Sequence, residues 1–333
     1  MEEKIDFLIT WVDVNDPKWL KDFKFYAESE GKDGDFRPSR YRDWENLRYW
    51  FRGVDQFSPW VNKIFFVTYG HVPDWLNINH PKLQIVRHED FIPSQYLPTF
   101  NSNTIEFFFH RIKDLSERFV YFNDDTFLID AVDPCRFFEN GLPCDTGVMS
   151  MDAHVNPTMF DVSVFMANAL INYNFDKKKA IRENLRKWYT TRYIGLSWQN
   201  FRFRRYNIFP GFMMSHRPQG YLKSLYDDIW NHCEDDLKRT CSHRFRSYGD
   251  VTFWLFRYWQ LASGRFTPFN IFKDSGLFHI EDSRMQDIER YISCQKGSIV
   301  CLNDTDIMNF EDNKQRILNA FHQILPNKCS FER

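Results

Sequence analysis

The sequence lacks the features that mark several large classes of protein. Its apolar runs are short and its mean hydropathy is −0.54, so no segment is a candidate for a membrane-spanning helix. Glycine-rich patterns of the GxGxxG or GxxxxGK[ST] type do not occur, which excludes the common nucleotide-phosphate loops. GxSxG, HExxH and CxxC patterns are absent as well. These absences exclude α/β-hydrolases with the usual nucleophile turn and most zinc proteases.

Neither the overall charge nor the first residues point to a special partner. The 43 Lys and Arg residues nearly balance the 45 Asp and Glu residues, so nothing global indicates nucleic-acid binding. Acidic residues precede a strand-like run at the start of the chain, and this order predicts no secretory signal. The 7 Cys residues are scattered, which favours reduced thiols in a cytoplasmic protein and gives no support to a zinc site.

Aromatic residues are what the chain has in abundance. It contains 35 Phe, 15 Tyr and 11 Trp, and hydrophobic residues make up 43% of its 333 positions. This apolar content is enough for a large core and argues against disorder. The length allows one large domain or two closely joined ones, and we expect a single domain over residues 1–333.

Strand-like and helical segments alternate over the first 130 residues. The predicted strands are 4–13, 61–70, 82–92 and 118–129, and the predicted helices are 18–30, 44–57 and 103–117, with a polar loop at 30–39. Further helical patterns cover 219–237, 248–263 and 311–325, and residues 164–200 predict an α-helical insertion or lid. The alternation predicts an α/β fold with a mostly parallel sheet flanked by helices.

Polar residues and a glycine stand at the ends of the predicted strands. Asp13 and Gly70 end the first two, and the adjacent Asp124 and Asp125 interrupt the last. In parallel sheets, ligands bind beyond the carboxyl ends of the strands, so these residues are candidates for a site. Two adjacent carboxylates also need positive partners or water when an apolar run surrounds them. The partner is a Mg²⁺ or Mn²⁺ ion holding a diphosphate, an arginine, or, in a solvated turn, only water.

Several arginines could bind a phosphate group, because arginine holds phosphate oxygens in pairs. The candidates are Arg40, Arg42, Arg48 and Arg52 in one stretch, and Arg244 and Arg246 in another. The alternative for each arginine is an ordinary surface ion pair with a nearby acid such as Asp43, Glu45 or Asp250.

Three histidines could take a proton from a hydroxyl group: His110, His216 and His243. The alternative for each is a packing or surface role. His216 follows Phe212, Met213 and Met214, so we expect it to be partly buried. Burial would keep its imidazole neutral and able to accept a proton.

Four blocks of sequence, taken together, match one family. The blocks are IDFLITWVDVNDP (5–17); a second that runs from RYRDWENLRYWFRGVDQFSPWVNKIFFVTYGHVPDWL (40–76) through LPTFNSNTIEFFFHRI (97–112) to YFNDDTF (121–127); SHRPQGYLKSLYDDIW (215–230) with SHRFRSYGDVTFWLFRYWQL (242–261); and IVCLNDTD (299–306) with CSFE. In this order, over almost the whole chain, they resemble the Stealth family of sugar-1-phosphate transferases. Bacterial members are similar to capsular polysaccharide phosphotransferases, and a eukaryotic relative is the lysosomal-enzyme N-acetylglucosamine-1-phosphotransferase.

The resemblance implies a glycosyltransferase-A-like α/β core in a single catalytic domain. It implies transfer of a hexose-1-phosphate, such as N-acetylglucosamine-1-phosphate, from a UDP-hexose or UDP-N-acetylhexosamine to a sugar hydroxyl. The product would be a phosphodiester in a capsular or other cell-surface glycan, with release of UMP.

The resemblance also implies roles for individual residues. Those carried over as catalytic are His216, Arg246 and Asp125; those that would bind the substrate are Thr10, Trp11, Asp13, Arg48 and Arg244; Asp124 and Asp125 would hold Mg²⁺ or Mn²⁺.

Two other functions stay open beside this one. A metal-dependent glycosyltransferase would use the same fold but release UDP, and a non-enzymatic carbohydrate-binding protein would use the aromatic residues as sugar platforms. We also expect a cytoplasmic location, with peripheral association at the inner face of the membrane through the basic aromatic segment 201–206 as a hypothesis.

Overall fold

A computed structural model gives the fold and describes residues 4–30, 42–151, 154–305 and 307–333. Arg40 and the predicted loop at 30–39, apart from its first residue, lie outside those ranges. In the described chain the strands are β1 (Ile5–Thr10), β2 (Ile64–Thr68), β3 (Leu83–Arg87), β4 (Arg118–Phe122), β5 (Thr126–Leu128), β6 (Phe138–Glu139), β7 (Leu142–Asp145), β8 (Gln219–Leu222), β9 (Thr267–Pro268), β10 (Ser275–His279) and β11 (Ile299–Asn303). The helices are α1 (Pro17–Glu30), α2 (Leu47–Phe57), α3 (His88–Phe91), α4 (Ser102–Phe107), α5 (Met159–Asn174), α6 (Lys177–Glu183), α7 (Leu185–Trp188), α8 (Ile194–Arg202), α9 (Leu225–Ser242), α10 (Trp254–Ala262), α11 (Met285–Ser293) and α12 (Phe310–Ile324).

The centre of the fold is a five-stranded sheet in the order β3-β2-β1-β4-β8. The first four strands in this order are parallel, and β1 lies between β2 and β4, with Leu8 opposite Phe65 on one side and Tyr121 on the other. All five residues of β2 are buried, as expected for a strand that is covered on both faces. The α/β class and the mostly parallel sheet predicted from the sequence are confirmed.

The fifth strand of this sheet was not predicted. The pattern over 219–237 indicated one helix, but Gln219–Leu222 pairs antiparallel with β4, and only the rest of the segment lies in α9. The helix prediction is therefore wrong for the first residues. A four-residue strand that forms only through a partner about a hundred residues away leaves no local signal.

The predicted strand at 118–129 is two strands in two sheets. β4 ends at Phe122, and after a turn β5 pairs antiparallel with β11 in a second sheet of order β10-β11-β5. The predictions at 82–92 and 103–117 are wrong in their second halves, because α3 follows β3, and α4 ends at Phe107 before a short 3₁₀ turn.

Helix α2 joins the two sheets. It buries Trp50, Phe51 and Val54, and this face explains the helical period of its sequence. Gly53 is required at the point of contact, since a Cβ there would lie 2.5 Å from the carbonyl oxygen of Leu128 in β5. The tight contact fixes the position of β5, and with it the turn that precedes this strand.

The predicted helical insertion at 164–200 coincides with α5 to α8, which lie between β7 and β8 in the chain. Whether this segment moves as a lid stays a prediction. Within the described residues, no helix is both long enough and apolar enough to cross a membrane.

Candidate active site

A cleft of about 1070 Å³ opens at the carboxyl ends of the central strands. Thr10 at the end of β1, Val67 in β2 and Asn123 just after β4 all line it. The remaining walls include Gln219 of β8 and Leu302 of β11. The cleft therefore lies at the edge of the sheet where the strand-end rule predicts a site.

Asp124 and Asp125 lie in the turn between β4 and β5. The amide and hydroxyl of Thr126 both donate to the carbonyl oxygen of Asn123, at 3.1 and 2.8 Å, and close the turn. The amide of Leu302 donates to the carbonyl of Asp125 at 2.9 Å, so β11 also holds it. The apolar run is interrupted here because the chain leaves one sheet and enters another, with both carboxylates lining the cleft.

Three side chains from distant parts of the sequence meet at the second of these acids. His216 Nε2 lies 2.8 Å from Asp125 Oδ2, and the thiol of Cys301 lies 3.6 Å from the same oxygen. Asp125, His216 and Cys301 each offer a ligand atom, and the three atoms lie within 4.8 Å of one another. Cys301 belongs to β11. The spacing of the cysteines in the sequence gave no indication that one of them lies beside Asp125.

The first acid has an unusual proton affinity. The side chain of Asp124 opens onto the cleft, but the surrounding protein keeps much of the bulk water away from it. This desolvation, together with the charge of Asp125, raises the pKa of Asp124 to about 7. Two adjacent carboxylates at this position therefore repel each other and favour a positive ligand.

The donor atoms fit a divalent cation. Asp125 Oδ1 is buried and has no hydrogen-bond partner in the described part of the chain, while Oδ2 contacts His216. An oxygen of this kind, beside a second carboxylate of raised pKa, suits a hard cation such as Mg²⁺ or Mn²⁺. Cys301 is a poorer ligand, because burial raises the pKa of its thiol well above the ordinary value. The assignment of the metal to Asp124 and Asp125 stays a prediction.

His216 is partly buried, as expected. The expectation that burial keeps its imidazole neutral is wrong. Burial by itself opposes the charged imidazole, yet the charge of Asp125 and its hydrogen bond outweigh burial, so the net effect raises the pKa of His216. The sequence argument considered only the apolar residues before His216 and could not include a carboxylate 91 positions away.

Arg246 also lines the cleft, on a loop that a separate acid holds in place. Its guanidinium donates to the hydroxyl of Ser102 at the start of α4. Asp250 is buried; it accepts from the amide of Ser247 at 2.8 Å and lies 2.6 Å from Nδ1 of His243. His243 and Asp250 thus fix the loop that presents Arg246.

Two of the residues predicted to bind the substrate lie on the cleft floor. Thr10 Oγ1 lies 3.1 Å from the hydroxyl of Tyr121, which donates to Glu106 at 2.9 Å. Trp11 is half-buried and stacks on Phe66, with 5.7 Å between the ring centroids. Thr10 and Trp11 both line the cleft.

The other three predicted substrate-binding residues are not brought into the cleft lining. The Asp13 carboxylate accepts from the amide of Asn15 at 2.8 Å. Arg48 pairs with Glu332 at 3.4 Å and stacks on Trp75. Arg244 donates to the carbonyl of Pro98 at 2.6 Å and stacks on a tyrosine of α1. The substrate-binding roles of Asp13, Arg48 and Arg244 stay predictions. In the structure, each of the three contacts other residues of the protein outside the cleft lining.

His110, another candidate base, also lies away from the cleft lining. Its ring contacts Tyr226, with 5.1 Å between centroids, and Trp230 at 6.5 Å. Burial lowers the pKa of His110 to about 4, so it is neutral at physiological pH. His110 therefore has the packing role that the sequence analysis gave as the alternative to a catalytic base.

The sequence interpretation gave no site role to four acids that line the cleft, namely Asp43, Glu106, Asp250 and Asp304. Asp304 directly follows β11 and accepts hydrogen bonds from Arg42 and Trp44. The strand-end rule would have found it if β11 had been predicted. Asp43 precedes α2 instead of ending a strand; burial is the main cause that raises its pKa, and its charge acts on Asp124. It was considered only as the partner of a surface arginine.

Comparisons with known proteins place the chain in a family. The sequence model of Stealth protein conserved region 2 matches residues 40–144. A capsular polysaccharide phosphotransferase, WcwK of Streptococcus pneumoniae, is 40% identical over 335 residues, which cover 99% of this chain and 98% of that protein. The receptor polysaccharide phosphotransferase WefC of Streptococcus oralis is 37% identical over 346 residues, covering 99% of both.

Among solved structures, the galactosyltransferase LgtC in complex with donor and acceptor sugar analogues is a distant match. It is 10% identical, with a TM-score of 0.34, and the match covers 94% of this chain and 95% of that one. This likeness is too remote to assign an activity. The sequence relatives are sufficient by themselves: at this identity and coverage, the chain belongs to the Stealth family of phosphotransferase enzymes.

Proposed function

We propose that the protein transfers a hexose-1-phosphate from a UDP-sugar to a hydroxyl of a cell-surface polysaccharide and releases UMP. The reaction would form a phosphodiester between the transferred sugar and the acceptor. The near full-length relatives are named for capsular and receptor polysaccharides, which supports a glycan acceptor of this class.

One observation carries the proposal. Asp124, Asp125, His216 and Arg246 come from three separate stretches of the sequence, and all four line a single cleft. A diphosphate donor needs charge neutralisation, a fixed position and a base for the attacking hydroxyl. These four residues offer a cation site, an arginine and an imidazole within one cavity.

We assign the donor to the floor of the cleft. Thr10 and Trp11 would contact the nucleoside, since both lie at the end of β1 and line the cavity. Arg246 would offset the negative charge of the phosphate that is attacked. Arg42 is already engaged by Asp304, so we leave it out of the donor contacts.

In the proposed step, an acceptor hydroxyl attacks the phosphorus that carries the sugar. The new bond joins the acceptor oxygen to phosphorus, and the bond from phosphorus to the bridging oxygen breaks, so that UMP leaves. His216 takes the hydroxyl proton. With its Nε2–H donating to Asp125, Nδ1 is the nitrogen left to accept that proton.

Asp124 and Asp125 would hold Mg²⁺ or Mn²⁺ through their oxygens, with Asp125 Oδ1 as the oxygen that has no other partner in the described chain. The bound cation would neutralise the diphosphate and offset the carboxylate charge that raises the pKa of His216. Asp125 would then have two tasks, one for each oxygen, and we therefore expect it to be the most sensitive residue of the site.

The test is analysis of the nucleotide product. The protein is incubated with Mg²⁺, a panel of UDP-sugars and a glycan acceptor, and UMP and UDP are separated. UMP that depends on the acceptor and disappears with EDTA is the expected result. UDP as the product would instead make the protein a conventional glycosyltransferase. Binding of the sugars with no nucleotide product at all would favour a carbohydrate-binding protein.

A further inference from the structure

Helix α8 has its polar face inside and its apolar face outside. Ser197 and Asn200 are buried, whereas Ile194 is 60%, Trp198 62% and Phe201 40% exposed. The exposed residues recur at intervals of four and three, so they form one stripe along the helix. A helix on the surface of a globular protein normally turns such a stripe inwards.

The orientation of α8 is fixed from inside. The side chain of Asn200 accepts from the amide of Met149 at 2.8 Å, and it donates to the carbonyls of Gly147 at 2.9 Å and Trp188 at 2.7 Å. Ser197 donates to the carbonyl of Thr190 at 3.1 Å. Rolling the helix to bury its apolar stripe would leave these backbone groups without partners, at a cost of about 1–3 kcal/mol for each buried group.

The exposed stripe continues into a cluster of aromatic residues. The rings of Trp198 and Phe201 lie 5.2 Å apart, and Phe201 contacts Tyr189 at 4.5 Å. A contiguous patch of large apolar side chains on a protein surface marks a site of interaction with a partner or a membrane.

Three arginines follow the stripe directly. Arg202, Arg204 and Arg205 are exposed, and none forms an ion pair with a carboxylate in the described ranges 4–30, 42–151, 154–305 and 307–333. Lys177 holds the segment that carries them, by donating to the carbonyls of Phe203 and Tyr206. The arginines are therefore presented on a fixed support beside the apolar stripe.

The charge of this region contrasts with that of the chain as a whole. Residues 176–208 contain 10 Lys and Arg against 2 Asp and Glu, although the complete sequence has slightly more acids than bases. A strongly basic surface with exposed tryptophan, phenylalanine and isoleucine matches the interface of an anionic bilayer, where aromatic rings enter the headgroup region and arginines meet lipid phosphates. Nucleic acid would meet the arginines but would leave Ile194 without a partner.

We propose that Ile194, Trp198, Phe201, Arg202, Arg204 and Arg205 form a docking surface for an anionic lipid bilayer. This surface and the cleft share a support, since Asn200 bonds to the segment at 147–149, and Val148 in turn accepts from the amide of Met213, three positions before His216. Docking at α8 would hold the cleft at a defined orientation relative to the membrane. The proposal does not depend on the reaction that the cleft performs.

The test is flotation of the complete protein with lipid vesicles, either of phosphatidylcholine alone or of phosphatidylcholine with phosphatidylglycerol. We expect binding to the anionic vesicles at about 0.1 M salt, and weaker binding at about 1 M, where the screening length falls from about 10 Å to about 3 Å. The variant Arg202→Gln/Arg204→Gln/Arg205→Gln should lose about 100-fold in partitioning, which corresponds to about 1 kcal/mol for each arginine. The variant Trp198→Ser/Phe201→Ser should lose the binding that remains at high salt.

Matched controls remove the same number of charges or apolar side chains elsewhere. Lys113→Gln/Lys238→Gln/Lys296→Gln and Phe25→Ser/Ile78→Ser change exposed residues of other regions and should bind as the unmodified protein does. Far-ultraviolet circular dichroism checks that each variant is folded.

Three results would overturn the proposal. The first is absence of binding to anionic vesicles at low salt, and the second is equal loss in the variants and their controls. The third is a different occupant: RNA bound in place of vesicles, or a dimer that Trp198→Ser/Phe201→Ser disperses while no vesicle binding is seen.

Discussion

Two pairs near the cleft, each formed by an aspartate and a basic side chain, differ in how far their charges are buried and satisfied. Asp145 and Arg257 are 0% and 1% exposed and are joined by two hydrogen bonds of 2.8 and 2.9 Å, and Arg257 donates a third, of 2.8 Å, to the carbonyl of Met213. Asp125 and His216 are joined by one contact, both side chains are partly open to the cleft, and one carboxylate oxygen has no hydrogen-bond partner in the described chain.

We infer that the sealed pair, Asp145 and Arg257, stabilises the fold, and that the open pair, Asp125 and His216, serves the function. A sealed pair in which the polar atoms are satisfied holds the fold, here by supporting the segment that leads to His216. An open pair with an unsatisfied oxygen contributes little to stability but can accept a ligand or move a proton. Three predictions test this contrast and a fourth tests a partly buried histidine outside both pairs, from the largest expected effect to the smallest.

Asp125→Asn should have the largest effect on activity and almost none on stability. Turnover should fall by about 10⁴-fold or more, because the neutral amide lacks the negative charge that stabilises the His216 imidazolium and holds the proposed cation. The melting temperature should stay the same or rise, since Asp124 loses a like-charged neighbour. Steady-state assays and thermal melts measure the two effects, and a large drop in melting temperature would make Asp125 a structural residue.

His216→Ala should lower kcat by about 10²–10⁴-fold, with little change in KM for the donor, because the loss falls on proton transfer rather than on binding. His322→Ala, at an exposed position of α12, is the matched control. A His216→Ala protein that is as active as the control would remove His216 from the role of base and leave Asp124 as the alternative.

Arg257→Met should destabilise the protein by about 3–5 kcal/mol, because Asp145 would remain buried without its partner. The double variant Arg257→Met/Asp145→Leu should recover most of that loss, since no charge remains in the core. Denaturant unfolding of the three proteins measures the free energies. If the double variant were no more stable than the single one, the pair would not be the separable structural unit described above.

His110→Phe should make the protein less sensitive to acid. The folded protein holds His110 at a pKa of about 4, below its ordinary value near 6.5, so the unfolded chain binds more protons between these values. The stability that neutral His110 contributes is complete above pH 6.5 and is lost progressively towards pH 4. At pH 5 the unmodified protein should have lost up to about 2 kcal/mol that His110→Phe keeps.

Unfolding free energies at pH 7.5 and pH 5 give the comparison, with His322→Phe as an exposed control. The same pH dependence in His110→Phe and the unmodified protein would show that another group dominates.

The local pattern was enough to predict the parallel part of the fold. β1 and β2 are continuous apolar runs that are buried almost throughout, and α2 has apolar residues at a helical period, so each carries its own signal. β8 has only four residues and exists through pairing with β4, so its own residues could not reveal it. β11 was overlooked although its residues IVCLN form an apolar, partly β-branched run that favours a strand.

The site shows the same division. Asp124 and Asp125 could be found from their place after an apolar strand, and His216 and Arg246 from the family resemblance. Two other contacts join residues at least 176 positions apart in the sequence: the thiol of Cys301 lies close to Asp125, and Arg48 forms an ion pair with Glu332. Local sequence could not predict either contact. Residue type and spacing cannot indicate which of several arginines faces a cleft, because the competing acids lie elsewhere in the sequence.

The most direct test of the proposed reaction follows the phosphorus that carries the sugar. A UDP-sugar labelled with radioactive phosphorus at that position alone is incubated with the protein, Mg²⁺ and a glycan acceptor. We predict that the label enters the glycan and that UMP is released without it, and that Asp125→Asn abolishes both. Label that remains in the nucleotide while the sugar is transferred would contradict attack at phosphorus and, with it, the function proposed for the cleft.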